Sequence, residues 1–122
     1  MIVEDDIYLQ KLYEIMLKTQ GFKIIGKAGN GFEAIKIFKS LLNKPDIVLM
    51  DHRMPIKNGI DTTLEITRLN SNTKIIFISA DNSVKKQALS IGANSFIEKP
   101  FSINKLSNEI KKVIENSKAV NN

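Results

Sequence analysis

Ile47-Val48-Leu49-Met50-Asp51 places four consecutive apolar side chains directly before a carboxylate. A continuous apolar run this short, with Asp46 ahead of it and Asp51 behind, reads as a strand buried on both faces, and such strands belong to parallel sheets covered by helices on each side. Four more runs share that character: Ile2-Val3, Phe22 to Gly26, Ile75 to Ile78 and Ser95 to Ile97. The segments between them carry apolar residues at helical spacing. These are Leu9, Leu12, Tyr13, Ile15 and Met16; Ala34, Ile35, Phe38, Leu41 and Leu42; Leu64, Ile66 and Leu69; Val84, Ala88 and Leu89; and Ile103, Leu106, Ile110, Val113 and Ile114. Five strands alternating with five helices predict an α/β domain with an open parallel sheet, doubly wound as (βα)5. Gly21 and Gly92 stand where left-handed helix caps are wanted, and Ser102 stands where an N-cap would open the last helix.

The composition bounds what such a domain does. A chain of 122 residues with 43% hydrophobic and 25% charged residues is one globular domain with enough core to need no staples. It contains no cysteine, so disulfides and thiolate metal sites are excluded and a reducing compartment, the cytoplasm by default, is expected. No stretch approaches the roughly 18 to 20 continuous apolar residues of a membrane span, and acids appear by Glu4, so no membrane association is expected. The net charge of +5 is spread along the chain with only Lys85-Lys86 and Lys111-Lys112 adjacent, so no direct nucleic-acid partner is expected. No repeat or linker is present; residues 1–117 are expected to form the domain, and 118–122 a flexible C-terminal tail.

In a doubly wound sheet, ligands bind beyond the carboxyl ends of the strands. Three features fall there: Glu4-Asp5-Asp6 after the first strand, Asp51 after the third and Ser79 after the fourth. One acid in such a place is ordinarily a helix cap or a loop residue. Several converging on one edge repel one another and call for a cation, and oxygen ligands without His or Cys suit Mg²⁺ or Mn²⁺. Lys99, before Pro100 at the end of the fifth strand, reaches the same edge, where it either meets a bound anion or simply pairs with Asp51. A cis peptide before Pro100 would aim it inward. His52 and the methionines Met50 and Met54 are read as loop and packing residues.

These motifs, in this order, resemble the receiver domains of two-component response regulators over Ile2 to about Glu115. The resemblance rests on Glu4-Asp5, on Val48-Leu49-Met50-Asp51 with Met54-Pro55 and Gly59, on Ile78-Ser79-Ala80, on Gly92-Ala93 and on Phe96-Ile97-Glu98-Lys99-Pro100-Phe101. It implies a flavodoxin-like sheet of strand order 2-1-3-4-5, and Asp51 as the acceptor of a phosphoryl group from a sensor histidine kinase or phosphotransfer protein. It further implies Mg²⁺ held by Asp5, Asp51, the backbone carbonyl of Arg53 and, through water, Glu4, with Lys99 and Ser79 on the phosphoryl oxygens. Ser79 and Phe96 would form the switch that alters the α4–β5–α5 face for a downstream protein partner or a homodimer. Such a protein is a signalling switch and not an enzyme with a separate substrate.

Three departures qualify the resemblance. The first strand is short for the family, as if a residue or two were missing before Met1. The Ser79-to-Lys99 interval is about two residues short, which predicts a short fourth helix. Arg53 and Asp81 occupy positions that vary in the family, and their contact is expected to shield the acyl phosphate. Two other classes compete. A pseudo-receiver keeps the fold without phosphorylation but normally loses the acceptor or the lysine. An aspartyl-phosphate phosphohydrolase of the haloacid dehalogenase type wants a second acid where this chain has Arg53.

Overall fold

A computed structural model describes residues 1–121, with side chains through residue 117. The five strands are β1 (Ile2–Val3), β2 (Lys27–Ala28), β3 (Ile47–Asp51), β4 (Lys74–Ser79) and β5 (Ser95–Glu98). The helices are α1 (Ile7–Thr19), α2 (Gly31–Ser40), α3 (Gly59–Leu69), α4 (Lys85–Ser90) and α5 (Ile103–Asn121). All strand pairs are parallel, in the order β2-β1-β3-β4-β5, as the resemblance implied. The expected tail, 118–122, lies beyond the described side chains, and Asn122 lies outside the described residues.

Successive strand residues point to opposite faces, so the central strands feed two cores. Val48, Met50, Ile75 and Phe77 pack beneath α2, α3 and α4 with Phe38, Ile60, Ile66 and Ala88. Leu49, Ile76, Ile78 and Ile97 pack beneath α1 and α5 with Tyr13, Leu17, Leu106 and Ile110. Side chains read the helix boundaries as expected. Asp6 accepts from the N–H groups of Tyr8 and Leu9 at the start of α1, and Ser102 Oγ accepts from Lys105 N–H at the start of α5. Gly21 and Gly92, with φ of 89° and 118°, close α1 and α4. The fourth helix is short, six residues after a single 3-10 turn at Asn82–Val84.

Three expectations fail. The predicted strand at Phe22 to Gly26 is not part of a ladder, and the paired residues are Lys27 and Ala28, opposite Ile2 and Val3. A strand exists only where a neighbour pairs with it, and β1 supplies two residues. Leu12 and Ile15 were counted with the core face of α1 but are exposed, along with Ile7 and Tyr8; the buried residues of α1 are Tyr13 and Leu17. Leu41 caps α2 rather than extending it, and Leu42 beyond it is 99% exposed.

Candidate functional site

The carboxyl ends of β1, β3, β4 and β5 open into a cleft of about 630 Å³ lined by Glu4, Asp5, Asp6, Leu9, Asp51, Arg53, Ser79, Ala80, Asp81 and Lys99. Every strand-end residue singled out from the sequence is therefore in one place, except Phe96, which lies behind it. Asp51 closes β3 and is buried. Its backbone is fixed from the far side of its loop: Gly59 N–H donates to His52 O at 3.0 Å, and a Cβ on Gly59 would fall 2.3 Å from Asp51 O. Only glycine permits that approach.

Lys99 Nζ donates to Asp51 Oδ1 at 3.0 Å and to Glu4 Oε1 at 3.1 Å. The Lys99–Pro100 peptide is cis, as anticipated. The simple ion pair with Asp51 is thus present, and the same ammonium also spans to a second carboxylate. Burial, the largest single influence on Lys99, pulls its pKa down, but the Asp51 and Glu4 carboxylates outweigh it and leave the ammonium firmly protonated. Glu4 is 2% exposed. Its burial, reinforced by the negative charge of Asp51, raises its pKa to about 7 against the partial relief given by Asp6 N–H and Lys99. Oxygen atoms of Glu4, Asp5 and Asp51 lie within 4.8 Å of one another, with Asp5 exposed to the cleft mouth. Three carboxylates with no nitrogen or sulfur donor fit a hard divalent cation.

Ser79 closes β4 and is buried; its Oγ accepts from Asp81 N–H at 3.0 Å, which pins the β4–α4 loop to the site. The Arg53 guanidinium stands 3.5 Å from Asp81 Oδ2, so the expected contact across the cleft exists. Hydrogen bonds from Ser83, and then the Arg53 charge, hold the Asp81 carboxyl below its usual range. His52 is half-buried, its ring centroid 5.6 Å from that of Phe77. Phe77 in turn stacks on Phe96 with ring centroids 6.1 Å apart, so Phe96 packs against the ring that His52 also meets.

Two positioning residues left no readable trace in the sequence. Gln10 Nε2 donates at 3.1 Å to both Glu4 O and Ala28 O, tying the acidic end of β1 to β2 from within α1. Ile56 has φ of 71° and is 81% exposed in the loop after Asp51. A β-branched residue in that region is an outlier, whereas glycine or asparagine there would have announced the turn.

The fold and this cleft define a class, and comparison with known proteins agrees. Residues 1–111 match the response regulator receiver domain family. The chain is 37% identical over 115 residues to the chemotaxis protein CheY of Thermotoga maritima, covering 93% of this chain and 94% of that one. It is 34% identical over 107 residues to the transcriptional regulatory protein PdtaR of Mycobacterium tuberculosis, covering 87% of this chain but only 51% of that longer protein. Among solved structures, the CheY of the CheX–CheY–BeF3–Mg²⁺ complex from Borrelia burgdorferi superposes with a TM-score of 0.87 at 32% identity, over 93% of this chain and 86% of that one. This chain belongs to the response regulator receiver domain family, whose members are signalling switches. No helix among the described residues is long and apolar enough to cross a membrane.

Proposed function

We propose that this domain is a phosphorylation switch in which Asp51 accepts a phosphoryl group from a histidine kinase or phosphotransfer protein. The observation that carries the reading is the convergence in one cleft of Asp51, the Glu4-Asp5 pair and a lysine that already bridges two of the three carboxylates. An Asp51 carboxylate oxygen attacks phosphorus in line with the leaving imidazole nitrogen. The P–N bond breaks as the acyl phosphate P–O bond forms, and the leaving imidazole takes a proton from solvent. Little covalent chemistry is asked of the protein in such a transfer, so positioning and charge neutralisation do most of the work.

Lys99 supplies a fixed positive charge beside the acceptor, and Ser79 supplies a hydroxyl that turns from its loop contact to a phosphoryl oxygen. Asp5, Asp51 and the Arg53 carbonyl would hold Mg²⁺, or Mn²⁺, with Glu4 acting through water. When bound, the ion neutralises charge on the transferring group. That a 32% identical receiver was solved with BeF3 and Mg²⁺ supports this assignment. Movement of Ser79 toward the phosphoryl group frees space beside Phe77 and Phe96, and Phe96 carries the change to the α4–β5–α5 face. That face then binds a downstream protein or a second copy. The domain works in the cytoplasm and turns over no separate substrate; Arg53, paired with Asp81, stands where a phosphohydrolase of the alternative class needs an acid.

Intact-mass measurement after incubation with acetyl phosphate and Mg²⁺ tests the reading, with Asp51→Asn in parallel. A gain of one phosphoryl group that requires the metal and vanishes in the variant is expected. No gain with any divalent metal would refute the switch and leave a pseudo-receiver.

A further inference from the structure

Among the described residues, two buried side-chain atoms have no hydrogen-bond partner, His52 Nδ1 and Thr63 Oγ1. Such atoms are uncommon in a native fold, and each one calls for a reason. Thr63 is fully buried on α3, beside a residue that shows what a helical threonine ordinarily does: Thr62 Oγ1 donates to Asn58 O, four residues back. Thr63 makes no equivalent bond to Gly59 O. It lies one turn beyond Gly59 on the same face of α3, and Gly59 sits against His52 so closely that a Cβ there would come 2.9 Å from His52 Cα. Helical side chains lean toward the N-terminus of their helix, so Thr63 leans back toward His52. His52 leans the opposite way. It leaves β3 on the face of Val48 and Met50, and its ring centroid comes within 5.6 Å of that of Phe77, the ladder partner of Met50. The two unpaired atoms therefore belong to one layer between α3 and the sheet.

Phe77 meets two rings, His52 at 5.6 Å and Phe96 at 6.1 Å between centroids, so the residue next to the acceptor and the residue that moves in the switch share one neighbour. When Phe96 withdraws, Phe77 loses its stacked partner and the contact that holds the His52 ring is loosened. An aromatic contact and an unpaired buried polar atom are comparable in free energy, so the loss of one such contact is enough to decide where the His52 ring rests. We propose that His52 and Thr63 form a latch: Thr63 Oγ–H donates to His52 Nδ1 in the switched form of the domain, whereas the two atoms are unpaired in the unphosphorylated form. The inference rests on the phosphorylation reading for its trigger and on the three rings for its coupling. Closing the latch draws the residue beside Asp51 toward α3 and stabilises the form in which Phe96 has withdrawn, by a hydrogen bond that the other form lacks. His52 is thus a positioning residue of the switch, on a route separate from Ser79, and the tautomer that the latch selects carries its proton on Nε2.

The chain has a single histidine, so its imidazole gives one pair of ring nitrogen-15 resonances with no assignment to resolve. These are read at about pH 8, above the ordinary imidazole range, in the parent and in Thr63→Val, Thr63→Ser and Phe96→Leu. Mg²⁺ is present throughout, acetyl phosphate is added or withheld, and intact mass reports phosphorylation separately. In the phosphorylated parent the Nδ1 resonance should move upfield by several parts per million, the direction expected when that nitrogen accepts a hydrogen bond. Thr63→Ser should keep this shift and Thr63→Val should lose it, although both gain the phosphoryl group as the parent does. Phe96→Leu removes the far ring and should show the shift without phosphate. An unmoved Nδ1 resonance in the phosphorylated parent or in Phe96→Leu would overturn the proposal. So would a shift that survives in Thr63→Val, which would make the partner something other than the Thr63 hydroxyl. If no protein gains a phosphoryl group, the switch reading fails by mass alone, and Phe96→Leu still decides the latch.

Discussion

Replacing Glu4 by Gln should make the folded domain more stable at pH 8 and leave it nearly unchanged at pH 5. The reasoning starts from a carboxyl that is 2% exposed and has the Asp51 carboxylate as its neighbour. Burial first, and then that charge, raise its pKa from 4.5 to about 7. The folded state thus holds a proton on Glu4 that the unfolded chain releases at lower pH. The contribution of Glu4 to stability is greatest below the unfolded value of 4.5, falls as pH rises and levels off above about 7. A rise of that size corresponds to a ceiling of about 3 kcal/mol, at about 1.4 kcal/mol per pKa unit. The hydrogen bond that Lys99 gives to Glu4 is weakened in the variant, which reduces the gain at pH 8 to roughly 1–3 kcal/mol. Urea unfolding followed by far-ultraviolet circular dichroism, in EDTA at pH 5, 6, 7 and 8, measures the difference. Titrating groups away from the cleft, the Met1 ammonium among them, are shared and cancel in the comparison. Parallel stability curves for the two proteins across that range would refute the argument. A second consequence concerns the metal: divalent binding favours the ionised carboxyl, so Mg²⁺ affinity should weaken as pH drops below about 7 in the wild type.

Ile56→Asn should stabilise the fold by about 1 kcal/mol, because it relieves a left-handed β-branched residue while its 81% exposure means little burial is lost; a urea midpoint at or below that of the wild type would contradict this. Asp81→Ala should shorten the acyl-phosphate lifetime about two- to fivefold by releasing the Arg53 side chain from across the cleft, as an exposed ion pair of this kind holds it only weakly. Equal lifetimes by intact-mass time course would show that the pair does not shield the phosphoryl group.

What could be read from the chain, and what could not, divides along the range of the interactions involved. β3 and β4 were legible because they are buried on both faces, so their entire stretch is apolar and no partner need be known to see them. The segment Phe22 to Gly26 has a similar composition and failed, because ladder formation depends on the neighbour and β1 pairs only Ile2 and Val3. In α1 the helical period was correct but the face was ambiguous. Apolar residues occupy two stripes, Tyr13 with Leu17 inward and Tyr8, Leu12 and Ile15 outward, and periodicity alone cannot say which stripe meets the core.

The site was legible for a topological reason: parallel connection sends every strand's carboxyl end to one edge, so acids and a lysine far apart in sequence must meet if each follows a strand. Which lysine contact forms is a matter of side-chain reach, and the bridge from Lys99 to both Glu4 and Asp51 was visible only in three dimensions. The same bridge offsets the repulsion among the carboxylates of the cleft. Three carboxylates crowded within 4.8 Å are held by one ammonium and, at neutral pH, by partial protonation of Glu4. In the proposed switch a divalent cation held by Asp5 and Asp51 would supply that neutralisation, leaving the Lys99 ammonium available to a phosphoryl oxygen. The ion pair with Asp51 and the proposed phosphate role therefore draw on the same lysine and are compatible.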